Sequence, residues 1–403
     1  LLTLGAVSMR DENPDFGTAD SLITIDIDAI TGNWRMLDSR NGDATETAAV
    51  VKADGYGLGA AILAPRLADA GCRTFFVMSL AEAVTIRRAL DDAGYAETRV
   101  FTLSGCHPGQ EDDFLAFRIN PVINNIEQLR RLAATGRGWD AAIHVDTGMT
   151  RLGLDRRELD TLKTMIEDAG KDGDNPLGAV NPCLLMSHLT ASEDPHDDAS
   201  ARQLAAFTKL RELFPGIPAS LGNSGGTLLG GDYRFDMTRP GIALYGLHPA
   251  GIDAEGVQME EAATLTPAVT WQARILQHRT ALAGDKVGYN GTHVLDRDSR
   301  IATVGVGYAD GYPRSLGNRA QVEIAGHLAP VVGRVSMDSI TVDVTSIDAG
   351  KVDAAGHATL LGPAYGLARM AHDAGTIGYE ILTQLGQRPK RRFKGGQKGQ
   401  TGA

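Results

Sequence analysis

The chain has 403 residues, 43% of them hydrophobic and 22% charged, with a formal net charge of −11. These proportions exclude a disordered chain, no apolar run approaches the roughly 20 residues of a membrane span, and a negative balance argues against a nucleic-acid partner. The length favours two domains, and Cys72, Cys106 and Cys183 have no metal-ligand spacing and cannot all pair, so no metal site and a reducing, cytoplasmic compartment are expected.

Residues 1–20 are expected to form a disordered leader: Leu1 to Val7 is apolar but short for a signal core, and Met9 is a possible alternative start. Leu22 to Ile27 alternates as a strand, and Asp28 to Leu37 has helical spacing. The pattern then repeats. Strands at Thr47–Lys52, Thr74–Met78, Arg99–Leu103 and Ile119–Ile123 are followed by helices near 57–70, 80–92, 109–117 and 126–134. Strands at Ala141–Val145, Cys183–Ser187 and Ala219–Leu221 precede helices near 156–168, 199–213 and 224, and a strand at Arg234–Thr238 closes the count. Eight βα units at this spacing predict a (β/α)8 barrel over 21–258, whose first strand, 22–27, is expected to join the following domain.

After about residue 260 the texture changes. Ala268–Ile275, Arg300–Val306, Ala320–Ile324 and Ser339–Val344 alternate or run apolar between glycine-containing turns, predicting a smaller, mostly β domain over 259–393. No Pro- or Ser-rich linker separates the two, so firm packing is expected. The basic run Arg388 to Lys394 reads as a solvated tail, and residues 394–403 as disordered.

A barrel enzyme keeps its chemistry at the C-terminal ends of its strands, and often binds phosphate after strands seven and eight. At the end of the predicted strand Thr47–Lys52, Lys52 opens the stretch Lys52-Ala53-Asp54-Gly55-Tyr56-Gly57-Leu58-Gly59. A lone lysine there is ordinarily a solvated surface group. Three glycines beside it let backbone approach a ligand, which suits an amine that forms a Schiff base. After strand seven comes Asn223-Ser224-Gly225-Gly226, and after strand eight Arg239-Pro240-Gly241-Ile242. Two phosphate-friendly loops and a strand-end lysine in one barrel make a phosphate-bearing aldehyde cofactor plausible on chemistry alone.

The lysine stretch resembles the Lys-Ala-Asn-Ala-Tyr-Gly-His-Gly motif of alanine racemases, the fold-type III racemases dependent on pyridoxal 5'-phosphate. The likeness extends in order through Asp146-Thr147-Gly148-Met149-Thr150-Arg151-Leu152-Gly153, Met186-Ser187-His188, Asn223-Ser224 and Arg239 to Gly246. It continues in Val287-Gly288-Tyr289, Gly307 to Tyr312, Gly333 to Asp338 and Ile377 to Glu380. The resemblance implies a racemase interconverting L- and D-alanine, with Lys52 as the base on one face of Cα and Tyr289 on the other. It implies a chain from Tyr289 through His188 to Arg239, with Arg239 against the pyridine nitrogen. Tyr56, Asn223, Ser224, Gly241, Ile242 and Tyr379 would hold the cofactor; Arg151, Met337 and Tyr308 would face the substrate. It further implies a homodimer whose active sites are completed across the interface, and a supply of D-alanine to the bacterial cell wall.

The chain also departs from the family. A carbamylated lysine often stands where this chain has His144, and an imidazole forms no carbamate, so another group must orient Arg151. Asp54, Gly55 and Leu58 replace the usual Asn, Ala and His. A barrel-plus-β amino-acid decarboxylase is disfavoured: those enzymes pair an acid with the pyridine nitrogen and use a second-domain cysteine, whereas this chain has Arg239 and no cysteine after Cys183. A racemase preferring another small amino acid such as serine, and a pyridoxal-phosphate carrier without activity, remain as alternatives.

Overall fold

The computed structural model describes residues 14–172, 177–194, 196–251 and 264–396. The chain divides into two compact units, one built mainly from Asp26–Ala268 with Gly378–Thr383, the other from the N-terminal segment to Ile25 with Val269–Ile377 and Gln384–Lys394.

In the first unit, seven parallel strands run in sequence order from Ala49–Val50 through Thr74–Val77, Arg99–Thr102, Asn120–Ile123, Trp139–His144 and Val180–Met186 to Ala219–Ser220. The eighth, Met237–Thr238, pairs in parallel with Glu46–Thr47. Backbone bonds from Asp236 N to the Ala219 carbonyl (3.0 Å) and from Arg239 N to the Gly222 carbonyl (2.8 Å) tie it to the seventh strand, closing the ring. The inward side chains are apolar and fully packed: Val50, Phe76, Phe101, Val122, Leu184 and Met237 form one cluster, with Phe76 and Phe101 stacked at 5.0 Å. A filled interior forces any ligand to the rim, where the βα loops lie.

The outer helices follow local rules. Asn125 caps Ile126–Ala134 by accepting from Gln128 N (2.8 Å), and Ile126, Leu129 and Leu132, three residues apart, are its buried face. Ser79 and Glu82 form a reciprocal capping box at the start of Leu80–Asp92.

The second unit is an antiparallel β structure. Its sheet path runs His327–Pro330, Gln321–Ile324, His357–Leu361, Val269–Ala281, Ser21–Asp26, Lys390–Lys394, and Ser299–Val304 and Ile340–Asp343 extend it from the long strand Val269–Ala281. That strand buries Val269, Trp271 and Ala273 on alternate positions, the period of a half-buried strand.

Several expectations need correction. The barrel strand expected to reach Lys52 ends at Val50, and Lys52 instead opens a separate turn. Arg234–Thr238 shortens to Met237–Thr238 behind a 3-10 turn at Gly231–Tyr233. The basic run is no solvated tail: Lys390–Lys394 is a strand beside Ser21–Asp26, and Arg388 donates to Asp310 from Nε and Nη2 (both 2.8 Å) and to Asp338 from Nη1 (2.6 Å). Part of the expected leader is placed: Phe16 is buried beneath the Arg274 guanidinium, 4.6 Å from its ring centre, and Asp15 pairs with Lys390. Residues 1–13 and 397–403 lie outside the described residues. Helices at Ala349–Ala355 and Leu367–Ala374 have no counterpart in the strand-dominated reading of 259–393.

Candidate active site

Four consecutive residues after Lys52 are left-handed: Ala53 (φ 51°), Asp54 (54°), Gly55 (63°) and Tyr56 (58°). Only Gly55 is at ease there. The three others carry about 1–2 kcal/mol of strain each, roughly 3–6 kcal/mol together. The surroundings compensate. Glu82 Oε1 accepts from Ala53 N (2.6 Å), Asp54 Oδ1 accepts from Ala60 N (2.8 Å), and the Val51 carbonyl accepts from Gly55 N (2.8 Å). Gly57 (φ 80°) passes so close to the Leu382 carbonyl that a Cβ would sit 2.6 Å from it. The turn delivers half-buried Lys52 to the rim and aims Tyr56 inward, against Tyr245 (4.9 Å) and Tyr379 (6.1 Å).

Cations collect around Lys52. Its amine pKa is lowered by burial and by Arg151, partly opposed by Glu82. Arg239 is fully buried; its guanidinium donates to the Ser220 hydroxyl and the Ser187 carbonyl, and burial alone lowers its pKa to about 10, so it keeps its charge at neutral pH. His188 is brought down to about 3 by burial, then by Arg239, Arg151, Lys52 and His144. It is neutral in the native protein. Arg239 bonds to the two serines, and its influence on His188 is through charge.

His144 ends the strand Trp139–His144. Asn124 donates its amide to the carbonyls of Leu103 (2.9 Å) and Val122 (3.1 Å), so its oxygen faces His144 and receives the Nδ1 hydrogen (2.8 Å). Burial, then Arg239 and Arg151 against the opposing Asp146, lowers His144 to about 4. Asp146 gathers the following loop, accepting from Gly148 N (2.9 Å), Met149 N (2.8 Å) and Thr150 N (3.0 Å), and so fixes the approach to Arg151.

A second locus lies beyond strands seven and eight. The Ser224 hydroxyl accepts from Gly241 N (2.9 Å) and Ala243 N (3.3 Å), Asn223 accepts from Gly226 N (2.9 Å), and a Cβ on Gly241 would meet the Tyr56 hydroxyl at 2.2 Å. Ile242 is fully buried behind it. Hydroxyls and amides thus gather after strands seven and eight, in the unit that also carries Lys52, Arg151 and the buried, charged Arg239. That donor set fits an anionic, phosphate-bearing aldehyde. Tyr379 joins this unit and donates to Glu193 Oε1 (3.2 Å).

The first unit therefore gathers Lys52, Tyr56, Arg151, His188, Asn223, Ser224, Arg239, Gly241, Ile242 and Tyr379. The remaining candidates, Tyr289, Tyr308 and Met337, belong to the other unit, where they are 70%, 44% and 53% exposed. Sequence reasoning missed Glu82, Asn124 and Glu193. Only Glu82 left a signal, the Ser79-x-x-Glu82 capping pattern.

Two adjacent family descriptions account for nearly all of the chain: the alanine racemase N-terminal domain matches residues 25–249, and the alanine racemase C-terminal domain residues 268–393. The chain belongs to the alanine racemase family. The alanine racemase of Rhodospirillum rubrum is 43% identical over 94% of this chain and 98% of its own length, and that of Acidiphilium cryptum 43% over 92% and 98%. Among solved structures, alanine racemase from Bartonella henselae with covalently bound pyridoxal phosphate aligns with a TM-score of 0.83 at 37% identity, covering 93% of this chain and all of that one.

Proposed function

We propose that the protein is a pyridoxal-phosphate-dependent alanine racemase, an isomerase interconverting L- and D-alanine with two bases. The observation that carries the reading is the half-buried Lys52 at the barrel rim, its amine pKa lowered by burial and Arg151, beside buried, charged Arg239 and the Ser224–Gly241 cradle. When bound, the cofactor supplies the electron sink that acidifies the Cα hydrogen. Lys52 is its attachment point and moves the proton on one face; the Tyr289 hydroxyl moves it on the other. Arg239 would face the ring nitrogen, where its retained charge would oppose protonation, and His188 would stand between Arg239 and Tyr289. Tyr56, Asn223, Ser224, Gly241, Ile242 and Tyr379 hold the phosphate end, while Arg151 holds the substrate carboxylate and Met337 and Tyr308 border the substrate.

A homodimer in which the exposed Tyr289, Tyr308 and Met337 side chains complete the partner's site would give these three candidates their role. No helix among the described residues is long and apolar enough to cross a membrane. A cytoplasmic location and a role in supplying D-alanine for peptidoglycan complete the reading.

The test is solvent deuterium entering Cα of L- and D-alanine, run beside Tyr289→Phe. Label in both enantiomers, with the variant impaired mostly from the L side, supports two bases. Exchange with serine but not alanine would transfer the activity to the other substrate. No exchange with any amino acid would leave a cofactor carrier.

A further inference from the structure

Glu82 does more than an ordinary capping box asks of it. In such a box the acid returns to the cap amide, which Glu82 does through Oε2, accepting from Ser79 N (3.1 Å) and also from Met78 N (2.7 Å). Its other oxygen crosses to a neighbouring loop and takes Ala53 N at 2.6 Å, the amide immediately after Lys52. Ala53 is the first of the left-handed residues, so this bond holds the strained turn where it begins. The same carboxylate is the anion that acts on the Lys52 amine, where it opposes burial and the Arg151 guanidinium.

We propose that Glu82 is a positioning residue for Lys52: one carboxylate clamps the left-handed turn that presents the amine and supplies the negative charge that offsets Arg151 beside it. The proposal rests on Lys52 being the cofactor lysine. A purely structural cap would need only the Ser79 half of the arrangement. The second oxygen gives Lys52 both its direction and part of its affinity for a proton.

The test uses the full-length chain. Hydrogen exchange of residues 53–57 is followed in cofactor-loaded protein, and the pH dependence of Lys52 acylation is followed by mass spectrometry after the cofactor is removed with hydroxylamine. Glu82→Gln should raise exchange at 53–57 at least ten-fold and let Lys52 react at lower pH than the parent, because a carboxylate that favours the ammonium form is gone. Glu82→Asp keeps the charge at shorter reach, so it should loosen the turn while leaving the acylation profile closer to the parent, and it serves equally if E82Q does not fold. Ser79→Ala weakens the helix cap without touching Ala53 and should alter neither readout. Parental exchange and an unchanged profile in E82Q, or the same changes in S79A, would overturn the proposal. Borohydride fixation of the cofactor on a lysine other than Lys52 would instead defeat the function reading, while the exchange data would still report on the clamp.

Discussion

Replacing His144 with glutamine should remove a large part of the protein's acid sensitivity. The imidazole is buried, donates through Nδ1 to Asn124, and has a native pKa near 4 against an ordinary value of 6.5. Between those two values the unfolded chain binds a proton that the native state refuses, so stability rises with pH across this window and is lost as pH falls from 6.5 towards 4. For one site, moving from pH 7 to pH 5 costs about 2 kcal/mol by linkage. Glutamine can still donate to Asn124 but has nothing to titrate. Urea unfolding of parent and His144→Gln, followed by tryptophan fluorescence at both pH values, should show the parent losing about 2 kcal/mol more than the variant. Equal losses would refute the reasoning, and so would an NMR titration placing the His144 midpoint near 6.5. Burial leads the shift, followed by Arg239, with Asp146 opposing and Arg151 adding to it, so carboxylates away from this site contribute alike to both proteins and cancel in the difference.

Other outcomes follow from single contacts. Gly241→Ala puts a methyl 2.2 Å from the Tyr56 hydroxyl, so the affinity for pyridoxal phosphate should fall at least ten-fold in an absorbance titration. Gly57→Ala combines a φ of 80° with a methyl 2.6 Å from the Leu382 carbonyl and should cost about 1–3 kcal/mol by thermal unfolding. Arg388→Gln removes the clamp joining Asp310 to Asp338, next to Tyr308 and Met337, and should lower kcat/KM for alanine several-fold while speeding hydrogen exchange at 307–312. Depletion of carbon dioxide should leave activity unchanged, because His144 stands where a carbamate would form.

The parallel strands were legible because each is a short apolar run between turn residues, and the cradle residues because barrel chemistry clusters after strands seven and eight. The turn at Ala53 to Tyr56 was not legible. Nothing in Ala, Asp or Tyr announces a left-handed backbone, and what permits it is tertiary: Glu82 from one helix and Asp54 bonding back to Ala60. The Asn124–His144 pair was hidden for a similar reason, since twenty residues separate two side chains that the sheet sets side by side. Arg388 was misread because charge density describes a solvated tail and a β edge equally well; only the buried partner Asp310 tells them apart.

The strand Ser21–Asp26 lies between Val269–Ala281 and Lys390–Lys394 in the sheet of the second unit. On a ribosome it emerges first and must wait for about 240 residues before its earliest partner exists, and for more than 360 before its last, intervals that the parallel order of synthesis and barrel strands leaves free for the first unit to form. Excising 268–393 as a separate polypeptide would remove an interior strand and leave Lys390–Lys394 with no neighbour on that side. Ser21–Asp26 and Lys390–Lys394 are thus jointly needed for one sheet, which the stretch 268–393 alone does not complete.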